Sequence, residues 1–448
     1  MILGKNTCLE LAEKTIKEAL NLGATQAEAR IQTYTSYLTR FANSIIHQNV
    51  GETNVSLILR FIYGKKISTV SINEVTLEAI RKLAETGLKI AKVSEEDPEF
   101  ISLPEPQPIK PLEGIFVKET AECTADMRAE MVKELIDEAH AYSSKVKAVA
   151  GALSTTVMEF SVANSLGVRA YTVGTMANLS TNIISRENDS EGFGYAGDVS
   201  LNVNELKPAE LGREAAERSV GSLGAKTIEP GEYEVILEPY AVITALGYTR
   251  SGFSAQSYMD GTSFMNDLIN KKAFSEKFTL WDDGRDLRGI PTPFDVEGIP
   301  KRKIMLVEEG VPKSLVYDSY TAHKEGKKST GHATGYIPMP TNLFMKTGDS
   351  TKEEMIKETK KGLLVTRFHY VRYVHQRKLV ITGMTRDGTW YIENGEIKYP
   401  VRNLRFTDSL LRTYANMELV GREVKRSRGA VAPAVKAKIF RFTGVTKY

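Results

Sequence analysis

The sequence has little of the chemistry that soft metal ions require, with six histidines and two cysteines among its 448 residues. Zinc ribbons and iron–sulfur clusters need several cysteine thiolates, so cysteine-based centres of either kind are excluded. The single disulfide that Cys8 and Cys123 allow cannot organise a chain of this length, which excludes a disulfide framework. Long apolar runs are also missing. We expect no membrane span, because no run approaches about 18 apolar residues.

A strong excess of charge is absent as well, since 59 basic and 56 acidic residues leave a net charge of +3. A nucleic-acid partner is therefore not expected, because such proteins usually present a concentrated basic face. Residues 1–6 lack a basic segment followed by a long apolar run, so we predict no secretory signal. A cytoplasmic location is the resulting expectation.

Apolar periodicity predicts an α+β protein in which a helix-plus-sheet N-terminal region precedes a large strand-rich C-terminal domain. The predicted divisions are an N-terminal α+β subdomain (1–103), a proline-rich linker (104–112), a middle α+β subdomain (113–224) and the strand-rich C-terminal domain (225–448). The closely spaced prolines of the linker disfavour both helices and central strands. No strict internal repeat is visible.

The clearest local patterns lie in the first subdomain. Apolar spacing predicts helices over 5–22 and 74–92. Alternation predicts a strand over 54–63, and a turn leads from it into a second strand over 67–72, which indicates a hairpin. The glycine-rich segment 192–197 follows an acidic run and opens no helix, so we interpret it as a flexible loop.

Known catalytic signatures are missing from the sequence. It contains no His-Glu-x-x-His, no phosphate-binding loop and no Gly-x-Ser-x-Gly elbow in a strand-and-helix context. His323 and His332 fall in a polar stretch and are interpreted as exposed loop residues, while His369 and His375 are interpreted as two independent histidines. Asp282 begins an acidic run that we interpret as a polar turn. These residues alone declare no mechanism.

Seven segments of the chain carry a family resemblance. They are 164–167, 294–300, 329–332, 364–370, 382–389, 392–397 and 400–406. Taken together and in this order, they make the sequence similar to the TldD/PmbA family over nearly its whole length. The resemblance implies an N-terminal α+β region, a strand-rich C-terminal domain and a link to proteolysis. An older association with DNA gyrase gave this family its "modulator" name.

The resemblance further implies a choice between two branches. The TldD branch carries zinc on a His-Glu-x-x-x-His helix and a later cysteine, whereas the PmbA branch, also called TldE, lacks these ligands and pairs with TldD. This chain resembles the PmbA branch, because the expected helix segment 241–253 has no His or Glu and the expected cysteine segment 426–429 has no Cys. The Thr-Arg-Asp-Gly stretch at 385–388 is similar to the PmbA signature.

We therefore predict a PmbA/TldE-like subunit with no catalytic residue, no metal ligand and no cofactor of its own, zinc being expected only in a TldD-type partner. The resemblance implies a dimer, with that partner or with itself, that acts on unfolded or flexible peptides. Arg367, His369, Arg386 and Asp387 are the predicted substrate-binding residues of the cleft. Two alternatives remain open. One is a metallopeptidase with a non-standard site drawn from His323, His332, His369 and His375, and the other is a non-catalytic peptide-binding homodimer.

Overall fold

The computed structural model describes residues 2–427 and 429–446. Within these ranges the chain forms two sheets, one from each half, and the predicted α+β class is confirmed. None of the helices in the described ranges is long and apolar enough to cross a bilayer.

The N-terminal half forms one antiparallel sheet with its long helices on one face. Its elements are α1 (Lys5–Asn21), β1 (Gln26–Ala42), β2 (Ile45–Tyr63), β3 (Lys66–Ile72), α2 (Leu77–Val93), α3 (Lys118–Ala121), α4 (Ala125–Tyr142), β4 (Val146–Asn164), β5 (Arg169–Glu187), β6 (Ser190–Ser200) and α5 (Pro208–Gly221). The strand order is β3-β2-β1-β4-β5-β6. The predicted subdomains 1–103 and 113–224 therefore contribute three strands each to a shared sheet.

The same unit occurs twice in this half. A helix, three antiparallel strands and a second helix follow one another as α1-β1-β2-β3-α2 and again as α4-β4-β5-β6-α5. The two units join through β1 and β4, which pair antiparallel at the centre of the sheet. The capping threonines do not follow the repeat. Thr76 caps α2, the second helix of the first unit, whereas Thr124 caps α4, the first helix of the second unit. The repeat lies in the topology, and the sequence shows no strict counterpart.

Glycines shape the outer edge of this sheet. The segment 192–197 belongs to β6, so its interpretation as a flexible loop is wrong. A side chain at Gly194 would collide with the backbone of Ala215 in α5, and one at Gly192 would collide with that of Ser219. Glycine is needed at these two positions because the backbone of helix α5 packs directly on β6. The segment 192–197 does not contain the α5 residues, so its own sequence could not indicate this contact.

The C-terminal half forms an eleven-stranded sheet within the described residues. Its elements are β7 (Gly231–Leu237), α6 (Pro239–Thr249), α7 (Ala255–Met259), α8 (Met265–Leu268), β8 (Leu280–Asp282), β9 (Ile304–Glu308), β10 (Val311–Pro312), α9 (Ser319–Lys324), β11 (Leu343–Met345), α10 (Lys352–Lys357), β12 (Lys361–His375), β13 (Val380–Glu393), β14 (Glu396–Pro400), β15 (Leu404–Ser409), α11 (Leu410–Ala415), β16 (Met417–Ser427) and β17 (Ala430–Val445).

Five of these strands close on themselves. The path β7-β12-β13-β15-β17 returns to its start, because β17 pairs with both β15 and β7. Aromatic rings fill the resulting barrel, and Phe368 lies 4.4 Å from Phe406 and 5.7 Å from Phe440 between ring centroids. Closure removes the free edges of a small sheet, so these strands form a rigid base for the segments around them.

The proline-rich segment 104–112 runs between the two halves without a helix or strand of its own. Asn164 at the end of β4 donates to the Pro104 carbonyl at 2.8 Å. At the other end, the Arg285 guanidinium donates to the carbonyls of Lys110 and Pro111. The segment is thereby attached to both domains.

Candidate functional site

The four predicted cleft residues lie together on the β12–β13 hairpin. Arg367 is paired with Arg386, and the ladder shifts register between Val365 and Arg367 and again between His369 and Arg372. Asp387 and Tyr370 lie near these irregularities with φ angles of 57° and 49°. Positive φ costs energy for residues other than glycine, and β-bulges often re-aim side chains next to functional sites.

Arg367 and Asp387 are bound to each other and to the N-terminal sheet. Their side chains form an ion pair in which the Asp387 carboxylate is almost fully buried. The Arg367 guanidinium also donates to Asn182 Oδ1 at 3.2 Å and lies 4.1 Å from the ring centroid of Tyr195. Asn182 and Tyr195 belong to β5 and β6. Arg367 therefore joins the two domains at this point.

Arg386 and His369 keep more of their polar surface available. Arg386 is 43% exposed, and its Nε lies 3.8 Å from Asp387 Oδ1. Burial lowers the pKa of His369, and the neighbouring Arg386 and Arg367 lower it further. The imidazole is accordingly neutral at pH 7, with one donor and one acceptor nitrogen. Arg367 and Asp387 thus belong to the contact between the domains, whereas Arg386 and His369 remain accessible to a ligand.

The end of β12 exposes two tyrosines and a valine, Tyr370, Tyr373 and Val374. We call these three side chains the β12 aromatic surface. The Tyr373 hydroxyl donates to the Tyr248 carbonyl, and the two rings meet edge to face with centroids 5.0 Å apart. Tyr248 belongs to α6. The β12 aromatic surface is therefore held directly beside that helix.

A hydrogen bond from the Arg250 guanidinium connects the end of helix α6 to Gly429, the residue before β17. The Arg250 Nη2 atom, just after α6, donates to the Gly429 carbonyl at 2.6 Å, and the Leu343 N–H donates to the same oxygen at 3.0 Å. Gly429 has a φ of 79°, and a side chain there would collide with the Arg250 guanidinium. We call this contact the Arg250–Gly429 junction. It brings the segment 241–253 to Gly429 of the segment 426–429, whose residue 428 lies outside the described residues. The family resemblance places zinc ligands in these two segments.

A buried polar centre that the sequence did not reveal lies near this junction. His332 Nε2 is 2.8 Å from Asp282 Oδ2, and both side chains are fully buried. His332 Nδ1 lies 3.0 Å from the Thr330 carbonyl, and the buried Lys301 donates to Thr341 Oγ1. The interpretations of His332 as exposed and of Asp282 as a turn residue are therefore wrong. Strand β8 carries Asp282 into the core, where the carboxylate needs hydrogen-bond donors.

The loop 294–300 places two buried carboxylates between the domains. Asp295 accepts backbone hydrogen bonds from Glu297, Ile299 and Ala333. Glu297 accepts from the Ser319 N–H at 2.9 Å and lies 3.4 Å from the Arg60 guanidinium of β2. Burial raises the pKa of both carboxyl groups, and Asp295 raises that of Glu297 further. The sequence contained one signal for these residues, the alternation of acidic with apolar residues inside a segment of family resemblance.

The remaining candidate histidines lie apart. His323 is exposed on α9, and His375 is exposed at the end of β12. Both ring nitrogens of His332 are hydrogen-bonded inside the protein. Across residues 2–427 and 429–446, no group of three or more His, Cys, Asp or Glu side chains is arranged to hold a metal ion.

Comparison with known sequences gives consistent matches along the chain. Residues 27–91, 112–223 and 230–444 match domain 1, the central domain and the C-terminal domain of the PmbA/TldA metallopeptidases. Metalloprotease PmbA of Escherichia coli O157:H7 is 27% identical over 58% of this chain and 57% of that protein. The match thus spans a little over half of the E. coli protein. A TldD homolog of Buchnera aphidicola subsp. Acyrthosiphon pisum is 25% identical over 86% of this chain and 83% of the relative.

Two solved structures share the fold. TldE from Thermococcus kodakarensis superposes with a TM-score of 0.89 at 21% identity, covering 97% of this chain and 100% of that one. A Thermotoga maritima protein described as a modulator of a DNA gyrase superposes with a TM-score of 0.87 at 22% identity, covering 97% and 99%. At these identities the likeness concerns the fold alone.

Proposed function

Because the chain belongs to the PmbA/TldD metallopeptidase family, we propose that it is the PmbA/TldE-like subunit of a cytoplasmic protease system that acts on unfolded or flexible peptides. Its partner in this proposal is a TldD-type subunit that carries the zinc ion. The observation that carries the proposal is the Arg250–Gly429 junction, where a guanidinium lies between the two segments in question.

The residues of this junction do not fit zinc. Zinc sites in proteins use lone pairs of imidazole, thiolate or carboxylate groups. The segment 241–253 contains none of these side chains. The Arg250 guanidinium has five donors and no acceptor, and its positive charge repels a divalent cation. Hydrolysis is therefore assigned to the partner, and this chain is left with binding and positioning.

We assign peptide contact to the exposed end of β12. Strand β7 pairs with β12 through Val365, and residues 372–375 beyond this point are exposed. Extended peptides bind such strand edges through main-chain hydrogen bonds and place side chains in neighbouring pockets. Arg386 and His369 lie on the same hairpin and supply a cation and a neutral imidazole. The β12 aromatic surface supplies apolar contact.

Co-expression with a TldD-type subunit from the same source tests this proposal. We expect a stable complex in size-exclusion chromatography with light scattering, and cleavage of casein, a flexible substrate, that this chain alone does not give. A partner with its zinc ligands replaced is the control and should form the complex without cleaving. Failure to associate with any TldD-type subunit of that source would contradict the proposal.

The two alternatives give different results in the isolated chain. One equivalent of zinc that is lost on mutation of His369 or His332 would favour a metallopeptidase with a non-standard site. A stable homodimer that binds peptide without turnover would favour a binding scaffold, for which the exposed β12 aromatic surface is the available contact.

A further inference from the structure

The Arg250–Gly429 junction connects parts of the chain that are 179 positions apart. The Gly429 carbonyl accepts from Leu343, the first residue of β11, and β11 pairs in parallel with the start of β17. The sheet therefore already holds Gly429 in place. The bond from Arg250 adds the end of helix α6 to this arrangement, which makes the guanidinium a polar link between the helix and the residue that precedes β17.

The surroundings of Arg250 suit a permanent cation. Arg250 is the only charged residue in the segment 241–253. Burial lowers the pKa of Arg250, and the buried Asp282 opposes that effect. Asp282 in turn accepts a hydrogen bond from His332 and lies near the charge of Lys301. The Asp282 carboxylate is therefore the acceptor of a centre whose other ionisable side chains are donors. A guanidinium remains protonated under these conditions, because its ordinary pKa exceeds 12.

We propose that Arg250 is a built-in cation that holds α6 against the segment leading into β17 and closes this centre to zinc. The carbonyl that receives it, the glycine that leaves room for it and the nearby carboxylate are all supplied by the chain itself. A bound metal ion would also join two such segments, but the occupancy of its site would depend on the concentration of free metal. The guanidinium belongs to the residue that follows α6 and reaches the other segment by a hydrogen bond, so the chain reaches its folded state without any metal.

Thermal unfolding of the isolated full chain tests this inference. The variants are Arg250→Met, which removes the charge and keeps much of the volume, and Arg250→Lys, which keeps the charge and removes the planar fork. Arg422→Met, at an exposed arginine of β16, is the matched control. We expect R250M to lower the Tm by roughly 5 °C, R250K to lower it less, and R422M to change it by about 1 °C or less. Neither EDTA nor excess zinc should shift the Tm of the unmodified chain.

Chemical rescue adds a readout specific to the cation. Methylguanidinium should restore part of the Tm lost in an Arg250→Ala variant and should leave R422M unchanged. A chelator-induced fall in the Tm of the unmodified chain, one equivalent of bound zinc, or an R250M variant as stable as R422M would each overturn the inference. If R250M does not fold, R250K and metal analysis of the unmodified chain still decide. All measurements use the chain alone, so failure to bind a TldD-type subunit overturns the proposed function and leaves this inference standing.

Discussion

At the scale of single residues, Glu159 shows how one buried carboxylate fixes a distant part of the chain. It is fully buried in β4 and accepts from the backbone N–H groups of Leu3 and Gly4 at 2.7 and 2.8 Å. The hydroxyls of Tyr171 and Thr33 also donate to it. Helix α1 begins directly after Gly4 and has no side-chain cap of its own. Glu159 therefore holds the entrance to this helix.

Replacing Glu159 by Gln removes the charge and keeps the volume, so we expect the free energy of unfolding at neutral pH to fall by about 1–3 kcal/mol. Burial raises the pKa of Glu159, but its four hydrogen bonds outweigh this effect and the net shift is downward. Its stabilisation is therefore present above the ordinary value of 4.5 and is lost as the pH falls through the lowered pKa. Urea unfolding at neutral and acidic pH measures both effects. Glu10→Gln, exposed on α1, is the control, and equal losses in the two variants would contradict the prediction.

Arg367 and Arg386 should separate structural from binding roles on the hairpin. Arg367→Ala removes the ion pair with Asp387 and the bond to Asn182, so we expect a Tm lower by about 3–6 °C. Arg386→Ala removes an exposed charge, so its Tm should change by about 1 °C or less while peptide affinity falls roughly tenfold. Thermal unfolding and fluorescence anisotropy with a labelled flexible peptide check both. The proposed binding role would be wrong if R386A bound peptide as well as the unmodified chain.

At the scale of elements, the loop 294–300 joins the C-terminal domain to the first sheet. Phe294 packs against Phe160 of β4 with ring centroids 5.8 Å apart. Gly298 has a φ of 80°, and a Cβ there would lie 2.5 Å from Val168 Cγ1. The loop therefore needs glycine both for its backbone conformation and for its close approach to the sheet. It presents Glu297 to Arg60 at the same contact.

Glu297 should make this contact depend on pH. Burial raises the pKa of Glu297, Asp295 and Glu28 raise it further, and Arg60 opposes them. A raised carboxyl pKa means that stability is lost as the pH rises above the ordinary value of 4.5. We expect the Tm of the unmodified chain to fall between about pH 5 and pH 8 by 2–4 °C more than that of Glu297→Gln, the equivalent of roughly 1 kcal/mol. Glu276→Gln, at an exposed residue of the same domain, should leave the pH profile unchanged. Parallel profiles for E297Q and the unmodified chain would contradict the prediction.

At the scale of the whole molecule, ion pairs fasten β16 to the N-terminal domain. Arg426 lies 2.9 Å from Asp198 and 3.1 Å from Glu205. Lys425 lies 2.7 Å from Glu214 of α5. These groups are partly exposed, so each pair contributes modestly, and their sum fixes how β16 lies against β6 and α5.

A double-mutant cycle on Arg426→Ala and Asp198→Ala should give a coupling energy of about 1 kcal/mol that decreases as salt is added. The reason is that both side chains are mostly shielded from water and that the pair has bidentate geometry. Urea unfolding of the four proteins measures it. The exposed Lys133–Asp137 pair within α4 is the control and should give about 0.3–0.5 kcal/mol. A coupling no larger than that of the control would contradict the prediction.

Elements with a local signal were predictable from the sequence. The predicted helices over 5–22 and 74–92 correspond to α1 and α2, and the predicted hairpin corresponds to β2 and β3. Periodicity and turn composition are properties of neighbouring residues, which explains this agreement. Buried charges were not predictable in the same way. Glu159 meets Leu3 across 156 positions and Glu297 meets Arg60 across 237, and no short segment encodes such distances.

The candidate site was predictable in part. The four cleft residues do lie on one hairpin, because paired strands that follow each other in sequence bring their residues together. Their role in substrate binding stays a prediction. The sequence did not indicate that Arg367 faces Asn182, nor that Arg250 reaches Gly429, because both contacts depend on how whole domains and strands are placed.

The doubled unit of the N-terminal sheet has a consequence for its origin. Since β1 and β4 are equivalent strands paired antiparallel, a pseudo-two-fold axis passes between them and relates α1-β1-β2-β3-α2 to α4-β4-β5-β6-α5. A homodimer of one three-stranded unit, joined through its own first strand, would produce the same six-stranded sheet. The segment 104–112 would then be the tether that turned two subunits into one chain. Such a fusion would leave the halves free to diverge, and in this chain the outer strand β6 contacts β13 and β16 of the C-terminal domain.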